Sequence, residues 1–552
     1  MLPQTRRNWE ISAGRAPAMS RMWCHVAMIL AAWGYLCGLS WENDGLWLQG
    51  DAPRHAINGL FWKDLLLSGS LNPRAYALSY YARYPAISPT LYPPAFYLLE
   101  ALAFGLFGPS PFVAKGLVLG FALVAALYTM AWLRRWLSPA VGGIAALLLL
   151  SPGITTWAHA VMLNMPAMAI GLAALYHTRR ALELPEGRSH WRHLYAAAAL
   201  ATISVLTYPT TGVIVFIGIA WAAARGRWRI LMHRRTLSIA LLCAALLAPF
   251  GYAFYHWAPE QLSQATPQVQ RFVTLRYWMF YPARLPELLD PYLLALAGAG
   301  AVIGLAQRRW RSEMVVLLIW IGIGVAVLST IWAKESRYLL LVLPALLCAA
   351  GLTVVTVSEW LAKAFPVLSC PDVAVLFVVA LLLIELPVAR ARTIPSIHGF
   401  REVAEYIRHE APSEAVLYDG QHNGVFTFYV RAGDPEFRQQ VVRGDKLSRR
   451  TSKKEFDVDA CEAMLAACGC RWLAIEIGQG SQGTAAKRTV RKAVGKSRFR
   501  LVRSFPITGD SSDVERVDVY QVLEPSLPVG EVPLSIDVPD SKEPETVEPI
   551  RR

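Results

Sequence analysis

Residues 334–357 read KESRYLLLVLPALLCAAGLTVVTV. From Tyr338 to Val357 the run carries no charge, and a helix of about 20 apolar residues is long enough to cross the hydrocarbon core of a bilayer. Runs of similar character recur along the chain, at residues 23–40, 91–108, 112–133, 139–157, 160–178, 193–208, 211–224, 236–255, 291–307, 313–332 and 372–388. This pattern predicts a chain that crosses a membrane many times.

The composition agrees with membrane insertion of most of the chain. Of 552 residues, 17% are charged and 55% are hydrophobic, whereas an ordinary soluble domain carries about 25% charged residues. The net charge of +14 would indicate nucleic-acid binding in a soluble protein, but in a membrane protein basic residues mark the cytoplasmic loops. We therefore predict an α-helical polytopic membrane protein with about 11–13 transmembrane helices and no nucleic-acid partner.

Basic residues cluster in alternate loops, which predicts the orientation in the membrane. The clusters lie at residues 6–21, 134–135, 179–192, 225–235 and 308–311. We expect these loops in the cytoplasm together with the N-terminal tail of residues 1–22, and we expect the loops at 41–90, 256–290 and 333–337 on the outer side. The region after residue 388 then lies outside as well.

The number of crossings must be odd if the two ends of the chain lie on opposite sides. The runs quoted above number twelve with 338–357, and the conflict lies in segment 91–133, which must cross once or three times. Two short helices within 112–133, or a re-entrant pair, would satisfy the parity. The sequence leaves both open.

After residue 390 the sequence changes character. Helices are predicted at 399–410 and 485–494, and short apolar strands at 415–419, 471–477 and 517–523. We therefore predict a membrane domain over residues 23–390, followed by an extramembrane three-layer α/β domain over residues 391–523. Residues 524–552 are rich in Pro, Glu, Ser and Asp and lack aromatic residues, which predicts a disordered tail.

The first outer loop, residues 41–90, holds the most informative side chains. Asp51, Arg54 and His55 stand together in GDAPRHA at 50–56, and Tyr92 precedes a Pro-Pro pair where the second span begins. A carboxylate just outside the bilayer, followed by an amphipathic stretch that suits the membrane interface, is well placed to meet a lipid-linked substrate. The alternative is that Asp51, like Asp44, only caps a helix.

A second informative stretch lies at the outer mouth of the span quoted first. Lys334 and Arg337, with Tyr338 beside them, place two cations where the positive-inside rule disfavours them. A bound phosphate would explain cations at this position. The alternative is a local ion pair with Glu335, with the long side chains reaching to the interface.

These two stretches, in this order and at this separation, resemble the C-type (GT-C fold) membrane glycosyltransferases that use polyprenyl-phosphate sugars. The likeness is to the branch of the protein O-mannosyltransferases and the lipid A aminoarabinose transferase, glycosyltransferase families 39 and 83. DAPRHA at 51–56 is similar to the Asp-Glu-x-Arg-Tyr-Ala element of that branch, YPP at 92–94 to its Pro-Pro pair, and residues 337–344 to its late Arg-Tyr…Leu-Pro element. The resemblance covers residues 20–390.

The resemblance implies an inverting sugar transfer at the outer face of the membrane. Asp51 would be the general base in the first outer loop. Four side chains would bind the donor phosphate and stabilise the negative charge that develops as it leaves, namely Arg54, Lys334, Arg337 and Tyr338. Others would contact the substrate, namely His55, Tyr92, His159 and Asn164.

Two departures from the family pattern limit what carries over. Asn164 stands where family members often have an acidic residue, and an amide cannot act as a base although it can hydrogen-bond a sugar. The aminoarabinose transferase has a Lys-Gly pair after a Leu-Thr, whereas this chain continues as Tyr208-Pro209. This difference argues against aminoarabinose transfer in particular.

Metal and disulfide chemistry have little support in the sequence. His55, His159 and His256 could approach one another on the outer side, but they lack the short spacing of zinc ligands, so we predict no metal site and leave a divalent cation open as a cofactor. In the outer domain an oxidising compartment would allow one disulfide, from Cys461 to either Cys468 or Cys470.

The sequence thus predicts a membrane glycosyltransferase, a hexosyl- or pentosyltransferase of the bacterial inner membrane. It would move a sugar from a polyprenyl-phosphate donor to an envelope lipid, glycan or protein, with its C-terminal domain in the periplasm. The alternative is a transporter or flippase of a lipid-linked or small substrate. Transporters usually carry ionisable residues or broken helices at the membrane midplane, but here Glu100 and Lys115 lie near the starts of predicted spans.

Overall fold

The computed structural model describes most of the chain. The described residues are 18–39, 45–46, 51–88, 92–137, 140–257, 274–331, 333–365, 367, 369–392, 394–443, 458, 465, 469–478, 490–492, 494, 498–509, 514–523, 534–536 and 545–547. Asp44, Cys461 and Cys468 lie outside these ranges, and so does most of the predicted helix at 485–494.

The N-terminal part is helical. Its helices are α1 (Ala18–Gly38), α2 (Ala52–Ser68), α3 (Pro73–Arg83), α4 (Ala95–Phe107), α5 (Pro111–Leu133), α6 (Val141–Leu150), α7 (Pro152–Trp157), α8 (Asn164–Glu183), α9 (Arg188–Val205), α10 (Val213–Ala224), α11 (Arg234–Trp257), α12 (Leu275–Trp278), α13 (Phe280–Leu288), α14 (Pro291–Ala306), α15 (Arg308–Thr330), α16 (Leu343–Ala364) and α17 (Cys370–Ala391). Short 3₁₀ turns at Pro209–Gly212, Trp228–Met232 and Ser336–Val342 precede α10, α11 and α16.

Several of these helices are long and apolar enough to cross a membrane, which confirms the predicted polytopic helical membrane protein. Within the described residues five qualify by length and composition, namely Pro111–Leu133, Arg234–His256, Arg308–Thr330, Ser336–Ala364 and Cys370–Ala391. A sixth is added if Leu275–Leu288 and Pro291–Ala306, bent by 117°, count as one span. The count by length is lower than the predicted one because some predicted spans consist of short helices: segment 139–157 is divided at Ser151, where Pro152 begins α7.

Segment 91–133, where the parity conflict arose, forms two separate helices. Gly108, with a φ of 80°, ends α4, and the Ser110 side chain accepts a hydrogen bond from Val113 N at 3.2 Å at the start of α5. Helix α5 then continues unbroken for 23 residues. The alternative of two short helices within 112–133 is therefore wrong, because no Pro or Gly-rich break interrupts this run once Pro111 has begun it.

One end of the helix bundle collects the basic residues from several loops. Arg135 and Arg225 both pair with Glu183, while Arg179 bridges from Glu183 to Glu313. These residues come from the ends of α5, α8 and α10 and from the start of α15. The loops that the charge pattern assigned to one side thus meet at one end of the bundle.

A five-stranded mixed sheet follows the membrane helices, which confirms an α/β region at the C-terminal end. Its strands are β2 (Ala415–Asp419), β3 (Gln440–Arg443), β4 (Cys470–Ile477), β5 (Phe499–Pro506) and β7 (Arg516–Val522), in the order β3-β2-β4-β7-β5. Strand β2 is parallel to β3 and β4, whereas β7 is antiparallel to β4 and β5. Helices α18 (Phe400–Glu410) and α19 (Asn423–Ala432) accompany the sheet.

Two small antiparallel pairs complete the fold. Strand β1 (Ile397–His398) pairs with β6 (Thr508–Gly509), and β8 (Leu534–Ile536) pairs with β9 (Glu545–Val547). The second pair lies in the tail that was predicted to be disordered. β-branched residues in both strands favour the extended conformation.

The sheet region packs directly on the segment between α1 and α4. Ile397 N donates a hydrogen bond to Leu46 O at 3.0 Å, and Tyr84 OH donates one to Asp434 Oδ2 at 2.8 Å. One apolar core contains Phe61 of α2 together with Phe400 of α18. The predicted domain boundary at residue 390 falls at the end of α17, but the two parts share this core.

Candidate functional site

Asp51 stands at the N-cap position of α2, but its carboxylate does not cap the helix. Within the described chain it makes no side-chain capping bond. Instead Arg54 Nη1 donates to Asp51 Oδ1 at 2.7 Å, and Tyr92 OH donates to Asp51 Oδ2 at 2.6 Å. The capping alternative for Asp51 is therefore wrong. Each carboxylate oxygen receives one described hydrogen bond and keeps a lone pair for another donor.

The surroundings keep Asp51 ionised. Burial by itself raises the pKa of Asp51, but the neighbouring charges and the hydrogen bond outweigh it, so the net pKa lies below that of an ordinary aspartate. The lowering comes from His55 where its ring is protonated, and otherwise from Arg54, the hydrogen bond of Tyr92 and Arg337. Burial lowers the pKa of His55 itself to about 3, so this imidazole is neutral at neutral pH and the two arginines supply the positive charge.

His55 is placed by the first turn of α2 and faces the start of α4. Its Nδ1 lies 2.6 Å from Tyr97 OH, and its ring meets the Tyr92 ring edge-on at 4.7 Å between centroids. The side chain is buried. A neutral, buried imidazole held in this way fixes the direction of the turn that carries Asp51.

Arg337 and Tyr338 approach the site from the 3₁₀ turn before α16. The Arg337 guanidinium lies 5.5 Å from the centre of the Trp157 ring, and its charge lowers the pKa of Asp51. Arg337 Nε is buried and lacks a hydrogen-bond partner among the described residues. An unpartnered cationic donor at this position is suited to receiving an anion.

Three tyrosines from distant parts of the sequence form a file along one side of the site. The rings of Tyr92 and Tyr208 lie 6.5 Å apart, and those of Tyr208 and Tyr338 lie 5.8 Å apart. Tyr208 follows α9. Ala95 N, at the start of α4, donates a hydrogen bond to the carbonyl oxygen of Leu206, the residue directly after α9, at 3.0 Å. The file therefore joins the start of α4 to the start of α16.

Lys334 does not join this group. Its Nζ donates to Tyr277 O at 2.7 Å and lies 3.3 Å from the centre of the Tyr277 ring. In the described part of the chain Glu335 makes no close ion pair with Lys334 or Arg337, but its charge acts on Arg337 from a longer distance. The two cations, which are neighbours in sequence, point to different places because the 3₁₀ turn begins between them at Ser336.

The remaining predicted residues make no described hydrogen bond to the Asp51 carboxylate. His159 is buried, with its Nδ1 2.6 Å from Thr155 O and its Nε2 2.9 Å from Leu36 O, so both nitrogens are occupied by backbone carbonyls. Asn164 is buried at the first position of α8. The His256 ring lies 4.3 Å from the Tyr252 ring, tilted by 51°, and makes no described contact with the other two histidines. The described residues contain no cluster of three or more His, Cys, Asp or Glu side chains that could bind a metal ion.

Sequence reasoning missed three aromatic residues of the site, namely Trp157, Tyr208 and Tyr97. Aromatic residues are common at every membrane interface, so their type gives no signal. Tyr208 had one available signal, because it precedes Pro209 at the outer end of a predicted span, as Tyr92 precedes Pro93.

The sequence matches the model of the Alg9-like mannosyltransferase family over residues 80–421. No curated protein matches the chain. In structure the chain is similar to ArnT from Cupriavidus metallidurans in the apo state, with a TM-score of 0.60 and 16% identity over 92% of this chain and 98% of that one. The same protein bound to undecaprenyl phosphate gives a TM-score of 0.60 and 17% identity over 93% and 100% of the two chains.

Two further structures share the architecture. The archaeal oligosaccharyltransferase AglB from Archaeoglobus fulgidus, in complex with an inhibitory peptide and a dolichol-phosphate, gives a TM-score of 0.54 and 13% identity over 83% of this chain and 70% of that one. The arabinofuranosyltransferase AftD from Mycobacteria gives 0.53 and 15% over 92% and 40%.

At these identities the likeness is one of fold, and it confirms the GT-C fold indicated by the sequence motifs. The family match covers more than half of the chain and supports a glycosyltransferase independently of the structural likeness. With both observations in agreement, the protein belongs to the Alg9-like mannosyltransferase family of GT-C membrane glycosyltransferases.

Proposed function

We propose that this protein transfers a sugar from a polyprenyl-phosphate donor to an acceptor in the cell envelope, with Asp51 as the general base. The observation that carries the proposal is the arrangement at Asp51, an ionised carboxylate flanked by two arginines at the end of a membrane bundle. Membership of a glycosyltransferase family supports transfer over the transport alternative. The acceptor would be a lipid, a glycan or a protein.

The proposed step is a single displacement with inversion. The acceptor oxygen or nitrogen attacks the anomeric carbon, and the bond from that carbon to the phosphate oxygen breaks. The leaving polyprenyl phosphate takes the bonding electron pair, and Asp51 takes the acceptor proton on the free lone pair of a carboxylate oxygen. Neighbouring charges that hold the partly buried base ionised leave its carboxylate oxygen ready to accept this proton.

Arg337 and Arg54 are the proposed partners of the leaving phosphate. Negative charge develops on the phosphate as the sugar departs, and preorganised cations stabilise it most strongly where water is excluded. Arg337 supports this role with its buried Nε, which lacks a described partner. Arg54 is more open, with 41% of its side chain exposed, and already pairs with Asp51. Lys334 would contribute at longer range. The donor class is also supported by ArnT, which has been seen bound to undecaprenyl phosphate.

We propose that the Asp51 end of the bundle faces the periplasm of a bacterial inner membrane. The arginine-rich end lies opposite to it. Helix α9 begins at Arg188 and its 18 residues rise about 27 Å to the level of Tyr208, which is close to the thickness of a hydrocarbon core. The positive-inside rule then supports a cytoplasmic position for the arginine cluster.

The direct test is transfer from a radiolabelled polyprenyl-phosphate sugar in membranes that contain the protein. Donors carrying a hexose and a pentose, including polyprenyl-phosphate mannose, are compared, and the product is separated into lipid, glycan and protein fractions. Label in one of these fractions that depends on the protein is expected. Accumulation of donor inside sealed vesicles without any labelled product would favour transport instead.

The pH dependence of transfer should report the environment of Asp51. Because the pKa of this carboxyl in the free protein lies below the ordinary value of an aspartate, the base stays ionised through mildly acidic pH, and kcat/KM falls only at still lower pH. Tyr92→Phe removes one hydrogen bond that favours the ionised form, so the acidic limb should move up by about one pH unit. A pH–rate profile of both proteins checks this, and an unmoved limb would contradict the assignment of Asp51.

A further inference from the structure

We infer that the α/β region is a clamp on helix α2, in which Gly424 and Arg431 of α19 act as positioning residues for Asp51. The inference deepens the proposed function and rests on Asp51 being the base. The contacts that support this inference do not involve the Asp51 carboxylate or the side chains of Arg54 and Arg337. They lie at two places along α2.

The first contact is at the turn that carries the base. A Cβ atom placed on Gly424 would lie 3.1 Å from Pro53 Cβ and 3.7 Å from Arg54 N, so α19 begins directly against the first turn of α2. Pro53 and Arg54 lie between Asp51 and His55 in this turn. The start of α19 therefore packs closely against the turn that carries Asp51 and Arg54, and even a methyl group at position 424 would require Pro53 or α19 to shift by a few tenths of an ångström.

The loop that presents Gly424 is itself fixed by a buried carboxylate. Glu476, at the end of β4, accepts hydrogen bonds from Gln421 N at 2.8 Å and from His422 N at 2.9 Å. Tyr418 OH and His422 Nδ1 reach the same carboxylate. The Glu476 side chain is fully buried, so this loop has little freedom to move relative to the sheet.

The second contact lies about three turns further along α2. Arg431 Nη2 lies 2.7 Å from Asp64 Oδ2, and each side chain is only 4% exposed. Tyr80 OH donates to the same oxygen at 2.9 Å, and the Arg431 guanidinium stacks 4.0 Å from the centre of the Phe437 ring. Removing one partner of a buried pair leaves an uncompensated charge, so this contact strongly resists separation.

Two contacts along one helix fix both its position and its rotation about its own axis. The rotation matters because the direction of each side chain around a helix is set by the rotation of the helix about its axis, with about 100° between successive residues. A small rotation of α2 would therefore move the Asp51 carboxylate away from Tyr92 and Arg337. Misplacement of a reacting group by about 1 Å can cost 10²-fold in rate. A clamp of this kind acts on kcat and on the pKa of the base more strongly than on donor affinity, because Arg337, the other proposed partner of the phosphate, lies outside α2 in the turn Ser336–Val342.

The test compares Gly424→Ala and Gly424→Val with Gly218→Ala in the full-length protein in lipid nanodiscs. Gly218 is a matched control because a Cβ there would lie 3.3 Å from Thr178 Cγ2, a similar crowding within the membrane helices away from Asp51. The readouts are kcat and donor KM, the pH–rate profile, and hydrogen–deuterium exchange of the peptide spanning residues 51–57. Temperatures are kept well below the Tm of each variant.

We expect Gly424→Val to lower kcat by tenfold or more, to change donor KM by less than threefold, to raise the acidic limb of the profile and to speed exchange at 51–57. Gly424→Ala should show the same changes at smaller size, which keeps the test valid if the valine variant folds poorly. Arg431→Gln should follow Gly424→Val, whereas Arg471→Gln, which removes the 3.7 Å pair with Glu414 inside the α/β region, should not. Gly218→Ala should leave the profile and the exchange at 51–57 unmoved.

The outcomes separate the clamp from the proposed function. A lowered Tm with an unchanged profile, kcat and exchange at 51–57 would overturn the clamp and leave a purely stabilising interface. Faster exchange in the Gly424 variants of a protein that transfers no sugar would support the clamp and count against the proposed function.

Discussion

Asp51→Asn is expected to lower sugar transfer by 10²–10⁴-fold, the range in which a positioned general base contributes. Asparagine keeps the size of the side chain and an oxygen that can accept the hydrogen bond of Tyr92, but it cannot take the acceptor proton. The carboxylate does not cap α2, so the substitution should leave the helix intact. The loss should appear in kcat, because the proton transfer belongs to the chemical step.

The control is Glu405→Gln, which removes an exposed carboxylate of α18 that pairs with Arg401 and should leave kcat unchanged. Circular dichroism and the Tm establish that both variants fold. Full activity in Asp51→Asn would remove Asp51 from the mechanism. Asp51 is proposed as the base because its carboxylate accepts a hydrogen bond from Tyr92, the first tyrosine of the file.

Arg337→Gln should give the second large effect, a fall of 10²–10³-fold in kcat/KM for the donor. The guanidinium supplies charge and a buried, unpartnered donor where the phosphate is proposed to lie, and losing one such donor typically costs this much. Both donor KM and kcat should change, because the charge acts on the bound phosphate and more strongly on the leaving one. Arg337→Lys should recover part of the loss by restoring the charge without the planar donor geometry.

Two comparisons sharpen this result. Lys334→Gln should cost less than Arg337→Gln, because the ammonium group is already held by the Tyr277 carbonyl. Arg284→Gln removes an exposed cation that pairs with Glu287 and should leave the kinetics unchanged. Equal losses of kcat/KM in the Lys334 and Arg337 variants would contradict the different positions of these two side chains in the structure. Both cations would then be assigned to binding of the phosphate.

The sequence allowed part of this site to be predicted because its signals are local. Asp51 and Arg54 are three residues apart in a helix, a spacing at which side chains meet, and Arg337 stood out as a cation on the side where cations are rare. The order of these motifs then indicated the GT-C fold, which the family match and the structural likeness confirm. The assignment of roles to these residues remains a prediction.

The rest depended on contacts between residues far apart in sequence. Tyr208 meets Tyr92 and Tyr338 across more than a hundred residues on each side, and a single sequence carries no mark of such a contact. The direction of Lys334 was equally hidden, because it depends on where the turn at Ser336 begins. Strands β3 and β5 were missed because the first has only four residues and the second, which contains two arginines three positions apart, lacks a regular alternation of apolar and polar residues.

The apolar core that the sheet shares with the segment between α1 and α4 has a consequence for biosynthesis. Asp64 and Arg431 are 367 residues apart, so at 5–20 residues per second a ribosome needs about 20–70 s to make the partner of a loop that has already left it. During that interval Phe61 and its neighbours have no sheet to pack on. Chaperone binding to this nascent loop, followed by release when the last strands are made, would be the natural order of assembly, and a chain cut after α17 would leave the loop permanently uncovered.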